Sequence, residues 1–100
     1  MEDRSYAQQQ LAQSLARTIR RRRKQLGKSQ IDTANEANID RTQYQALEYA
    51  VSNRQTRTPA NPTLSTLIGL SQALECSIED IIGDAVRDYQ YAQSHFYDDK

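Results

Sequence analysis

The sequence predicts an all-α fold, five helices followed by a helical tail. Three observations carry that expectation. Apolar residues recur three or four positions apart through most of the chain, the period of a helix with one buried face. Residues that start and stop helices stand between those stretches at the spacing of short helices. With 3 glycines and 2 prolines, little of the sequence is suited to complicated loops.

The first helix is marked by Leu11, Leu15, Ile19, Arg22/Arg23 and Leu26, which fall on one face. It can start as early as Ser5. It should stop at Gly27, a residue suited to the left-handed conformation that follows many helix C-termini. Residues 1–10, with Gln8, Gln9 and Gln10, read as a polar N-terminal extension, partly helical. Ser29 caps a second helix of about Gln30 to Ala37, with Asp32 three residues on. Asn38 then takes the left-handed position, which Asn tolerates better than most residues. Asp40 caps a third helix over about 41–50, and Gln43 completes a D-x-x-Q capping box. Tyr44 and Leu47 form its inward face.

Residues 51–60 show no period and are expected to be a loop carrying Arg54 and Arg57. Asn61 as cap and Pro62 as first helical residue are expected to open a fourth helix. Its apolar stripe would be Leu64, Leu67, Ile68, Leu70/Ser71 and Leu74. Ser77 caps a short fifth helix holding Ile78, Ile81 and Ile82, which Gly83 is expected to end. The tail, 84–100, has Val86, Tyr89, Ala92/Gln93 and Phe96 at helical spacing. The division is therefore an extension over 1–10, a domain over 11–83 and a tail over 84–100.

One hundred residues make one domain with a modest core. No apolar run approaches the roughly 20 residues of a membrane span, and the N-terminus lacks the order of a signal peptide. Cys76, the single cysteine, excludes an intramolecular disulfide and reads as core filler. A reducing, cytoplasmic setting is expected. His95 stands apart from other ligand types and reads as a surface histidine. No Gly-rich phosphate loop, metal-ligand spacing or nucleophile with a base is visible, so neither an enzyme nor a cofactor or metal is expected. Net charge is zero, but residues 1–60 hold 11 Lys/Arg against 6 Asp/Glu, and residues 61–100 hold 2 against 7. A basic half that carries two helices joined by the turn Asn38-Ile39-Asp40 is the electrostatic footprint of a phosphate binder. The acidic half would face away.

Several short motifs, taken in order, resemble one family. They are Ile19-x-x-x-Arg23, Ser29-Gln30, Ala34, Ala37, Ile39, Arg41 and Glu48, then Asn61-Pro62-Thr63-Leu64 with Leu67, and Ala73-Leu74-x-Cys76-Ser77-x-Glu79-Asp80-Ile81. Over about residues 11–83 the chain resembles the lambda-repressor-like, Cro/C1 or XRE-type, helix-turn-helix transcription regulators. The resemblance implies a five-helix DNA-binding domain that acts as a homodimer, a repressor on palindromic double-stranded operators. It implies base reading by Arg41, Thr42, Gln43, Gln45 and Ala46, with Gln43 also claimed by its capping box. It implies phosphate contacts from Gln30, Arg20, Lys28, Arg54, Arg57 and Thr63. Arg23 and Glu48 match a pair joining the first and third helices, so Arg23 reads as structural although it lies in the run Arg20-Arg21-Arg22-Arg23-Lys24. Small Ala34 allows the two helices of the motif to cross, and Ile39 would plug the core between them.

Three departures stand out. Thr33 occupies a position usually held by Leu, Asn38 replaces the usual Gly, and the segment between Glu48 and Leu64 is about eight residues longer than the short family form. Ile78, Ile82, Val86, Tyr89 and Phe96 are the candidate dimer residues, although the tail aromatics could equally cover the domain's own core. Two other readings remain at this stage. One is an antitoxin-type autoregulator with a protein partner on its tail, and the other is an interaction module that has lost DNA reading.

Overall fold

The computed structural model describes residues 2–53 and 58–98, with the side chains of residues 6–51 and 58–95. Over that range the chain is a mostly helical domain with five helices and one short hairpin. The order is α1 (Glu2–Gln25), α2 (Gln30–Ala37), α3 (Arg41–Tyr49), β1 (Val51–Asn53), β2 (Thr58–Pro59), α4 (Leu64–Ala73) and α5 (Ile78–Asp98). No described helix is long and apolar enough to cross a membrane.

Local sequence signals place the first three helices. Gly27 ends α1 in the left-handed region, with φ +70°. The Ser29 hydroxyl accepts from the Asp32 amide at 3.0 Å and caps α2. Asn38 closes α2 at φ 61°. The Asp40 carboxylate accepts from the Gln43 amide at 2.7 Å and caps α3.

The main core is built from Leu15 and Ile19 of α1, Ala34 and Ala37 of α2, Tyr44 and Leu47 of α3, Leu70, Ala73 and Leu74 at α4, and Ile81 and Ala85 of α5. Ile39, in the turn between α2 and α3, packs against it, as do Leu67, Cys76 and Ile82. Thr33 is fully buried, and its hydroxyl donates to the Ser29 carbonyl at 2.9 Å, so the polar atom that replaces a leucine methyl is satisfied. Ile31 beside it is 49% exposed and does not replace the missing apolar contact.

Four features depart from the sequence expectation. First, Gly83 does not end a helix: α5 runs unbroken for 21 residues. It lies antiparallel along α1, with Arg17 opposite Asp88 and Tyr6 and Gln10 across a groove from Tyr91 and His95. Burial of Ile81, Ala85 and Ala92 on α5, and of Ala7, Ser14 and Thr18 on α1, outweighs the cost of one internal glycine, about 1 kcal/mol. Second, the segment read as a plain loop contains a two-stranded antiparallel pair, Val51 opposite Pro59 and Asn53 opposite Thr58, with an irregular register between them. Strands of three and two residues are too short to show a period. Arg54 and Arg57 lie outside the described residues. Third, Thr63 rather than Asn61 caps α4, its hydroxyl accepting from the Thr66 amide at 3.2 Å. The Ala60 amide donates to the Ala50 carbonyl at 3.1 Å, which holds the chain in the hairpin up to that point and delays the helix.

Fourth, α4 is rotated from its expected face. Thr66, Leu70, Ser71 and Ala73 are buried, whereas Leu64 is 67% and Ile68 43% exposed. The cause is Gly69, which faces α2 so closely that a Cβ there would collide with the Ala37 carbonyl oxygen. A glycine facing α2 fixes which side of α4 turns inward.

These two glycines predict opposite effects. Gly69→Ala must push α2 and α4 apart and should cost about 1–3 kcal/mol in a urea titration. Gly83→Ala meets only the end of the Arg87 side chain, at 3.8 Å, and should stabilise by about 0.5–1 kcal/mol.

Candidate nucleic-acid interface

Helix α3 has two faces. Tyr44, Leu47 and Glu48 are buried. Arg41, Thr42 and Gln43 are exposed in its first turn, and Gln45 and Ala46 are half-buried. Among the described residues the side chains of Arg41 and Thr42 have no hydrogen-bond or ion-pair partner. Tyr49, 51% exposed and one helical step beyond Gln45 and Ala46, extends the outward face. It is absent from the residues that the resemblance implies, although the spacing from Thr42 and Gln45 points to it.

The inner face is fixed by Glu48, whose side chain is 1% exposed. Arg23 donates to both carboxylate oxygens, from Nε at 2.5 Å and from Nη2 at 3.2 Å. The Tyr44 hydroxyl donates to Oε2 at 2.5 Å and the Gln30 amide to Oε1 at 3.0 Å. The expected pair between the first and third helices is therefore present, and it is one part of a four-residue network spanning α1, α2 and α3. Tyr44 and Glu48 stand four apart on one helix, a spacing at which side chains meet, although in the sequence Tyr44 reads only as part of the inward face. Burial disfavours the Glu48 charge. The hydrogen bonds from Arg23, Tyr44 and Gln30, with the Arg23 charge, more than offset it and hold the carboxyl below its ordinary range. Burial and the neighbouring Glu48 push the Tyr44 phenol well above its ordinary range, so it remains a donor.

The basic segment is used differently from the sequence expectation. Arg20 Nη1 donates to the Glu48 carbonyl at 2.8 Å, at the C-terminal end of α3. Arg22 donates to the carbonyls of Leu74 at 3.0 Å and Glu75 at 2.9 Å, just beyond α4. Lys28 donates to the Ala73 carbonyl at 2.6 Å and pairs with Glu36 at 2.6 Å and Glu75 at 3.4 Å. These groups satisfy helix C-terminal carbonyls that have no partner within their own helices. Arg21 and Lys24 are exposed and make no side-chain contact of this kind among the described residues.

The other expected phosphate residues divide in the same way. The Gln30 amide is spent on Glu48, and Thr63 is an exposed helix cap. The candidate dimer residues lie along α5: Ile78, Ile82 and Tyr89 half-buried and Val86 38% exposed, with the Phe96 side chain outside the described residues. His95 is exposed and stacks on Tyr91, ring centroids 3.6 Å apart.

Comparisons with protein-family models, with curated proteins and with solved structures give no match.

The Glu48 network predicts a pH-dependent penalty. At pH 7, Glu48→Gln should cost about 3–5 kcal/mol, because it leaves the Arg23 guanidinium without its counter-charge. A carboxyl whose pKa is lowered by folding stabilises the fold fully above its unfolded value, about 4.3, and loses that contribution as pH falls through the lower folded value. The gap between wild type and Glu48→Gln in urea midpoint should therefore narrow steadily below about pH 4. A gap that stayed constant from pH 7 to pH 3 would show that the charge on Glu48 contributes nothing.

Proposed function

We propose that the protein is a sequence-specific DNA-binding transcriptional regulator of the lambda-repressor-like type, acting in the cytoplasm as a repressor. In this reading it binds a palindromic operator as a homodimer, with α3 in the major groove. The observation that carries the proposal is the contrast between the faces of α3. One face is locked by a buried carboxylate with four donated hydrogen bonds. The other presents Arg41 and Thr42 without a partner among the described residues, with Gln45 and Ala46 behind them.

The residue types on that face suit base edges. Arg can donate twice to guanine O6 and N7, Gln can pair with adenine N6 and N7, and the methyls of Thr and Ala can meet the thymine methyl. A rigidly held helix keeps these groups in register without an ordering cost on binding. Among the described residues Arg20 and Arg22 bond main-chain carbonyls rather than carboxylates, so no acidic side chain offsets their charge beside the helix ends they meet. That charge contributes to phosphate attraction even where the guanidinium itself is occupied.

Selection of binding sites from a random duplex library at moderate salt tests the proposal. A palindrome with half-sites about one helical turn apart, roughly 34 Å, is expected. Failure of the folded protein to enrich any sequence would sink it. Within a selected site, Arg41→Ala should remove about 1–3 kcal/mol of discrimination at one base pair per half-site, measured by competition with single-base variants.

A further inference from the structure

On the exposed first turn of α3, one side-chain contact reaches α4, an element outside the helix-turn-helix. Gln43 Nε2, on α3, donates to Thr66 Oγ1, on α4, at 3.3 Å. Thr66 is 6% exposed, whereas Gln43 is exposed. The Thr66 hydroxyl is itself held in place, because Thr63 Oγ1 donates to it at 3.1 Å and in turn accepts from the Thr66 amide at 3.2 Å. A buried, fixed acceptor therefore tethers the end of an exposed side chain.

A glutamine amide carries two N–H donors on one nitrogen and one acceptor oxygen. One N–H lies on the same side as Oε1 and the other points away from it. If Thr66 takes the N–H that points away, the remaining N–H and Oε1 face outward side by side. A donor next to an acceptor is the pattern that pairs with N7 and the N6 amino group of adenine in the major groove. Without the tether the amide can turn end for end, and its preference for one base is weakened.

We infer that Thr66 is a positioning residue that sets the specificity of Gln43 and so makes it an adenine reader. The inference rests on the DNA-binding reading. It gives α4 a part in base selection without contact between Thr66 and DNA.

The test compares the wild type with Gln43→Ala, Thr66→Val and Thr66→Ser in site selection and in competition binding with single-base variants. Wild type should select adenine at one position per half-site, and Gln43→Ala should lose that preference. Thr66→Val keeps the side-chain shape and removes the hydroxyl. It should lower discrimination at that same position about fivefold to tenfold, with the other positions and the salt dependence unchanged. Thr66→Ser should retain the preference. A merely structural Thr66 would lower stability, or weaken binding to all sequences alike, without moving the preference at one position. An unchanged selected motif in Thr66→Val overturns the inference and leaves the DNA reading intact. A wild type that selects no sequence overturns both.

Discussion

A carboxylate at 1% exposure is the constraint on which the rest of this structure depends. Removing a carboxylate from water costs several kcal/mol, and the chain offsets this by directing four hydrogen bonds at Glu48. The donors come from three helices: Arg23 from α1, Gln30 from the first turn of α2 and Tyr44 from α3 itself. Apolar packing alone tolerates small rotations of a helix on its neighbours. Hydrogen bonds to one anion from three directions do not, because any rotation of α3 leaves a buried group unpaired. The same residues that fix α3 on its inner side thus determine which residues it presents outward.

The arginine-rich end of α1 belongs to the same economy of charge. Each helix leaves its last carbonyls unpaired and carries partial negative charge there. Arg20 meets that end on α3, and Arg22 and Lys28 meet it at α4. Read as a linear run, these residues suggest a solvated basic patch. Folded, the run divides by its position around α1. Arg23 faces the buried carboxylate, Arg20 and Arg22 reach the ends of neighbouring helices, and Arg21 and Lys24 are left to solvent.

What the sequence made legible follows from the range of the forces involved. Ser29, Asn38 and Asp40 act within one turn of themselves, and α2 and α3 fall where those residues place them. The pairing of Arg23 with Glu48 follows from the resemblance alone, since nothing local relates positions so far apart. The rotation of α4 was not legible. Leu64 and Ile68 fit an apolar stripe as well as Leu70 and Leu74 do, and only the closeness of Gly69 to Ala37 decides between them. Gly83 illustrates the converse. Its local preference to end a helix is real, but the burial of Ala85 and Ala92 farther along α5 favours continuation.

That continuation bears on the candidate interface. Ala50, which ends α3 in the left-handed region at φ 68°, packs against Ala12 and Ala16 of α1. A non-glycine residue in that conformation costs about 1–2 kcal/mol, and burial of its methyl group, worth about 0.8 kcal/mol, offsets part of it. Just beyond, Pro59 and Ala60 lie beside Leu11 of α1 and Tyr89 of α5. The way the chain leaves α3 is therefore set by the middle of α1 and by the part of α5 beyond Gly83. Of the two, the α5 part reads from the sequence as a tail outside the domain. In the folded chain both form the support for the C-terminal end of α3, while Glu48 and its donors anchor its inner face.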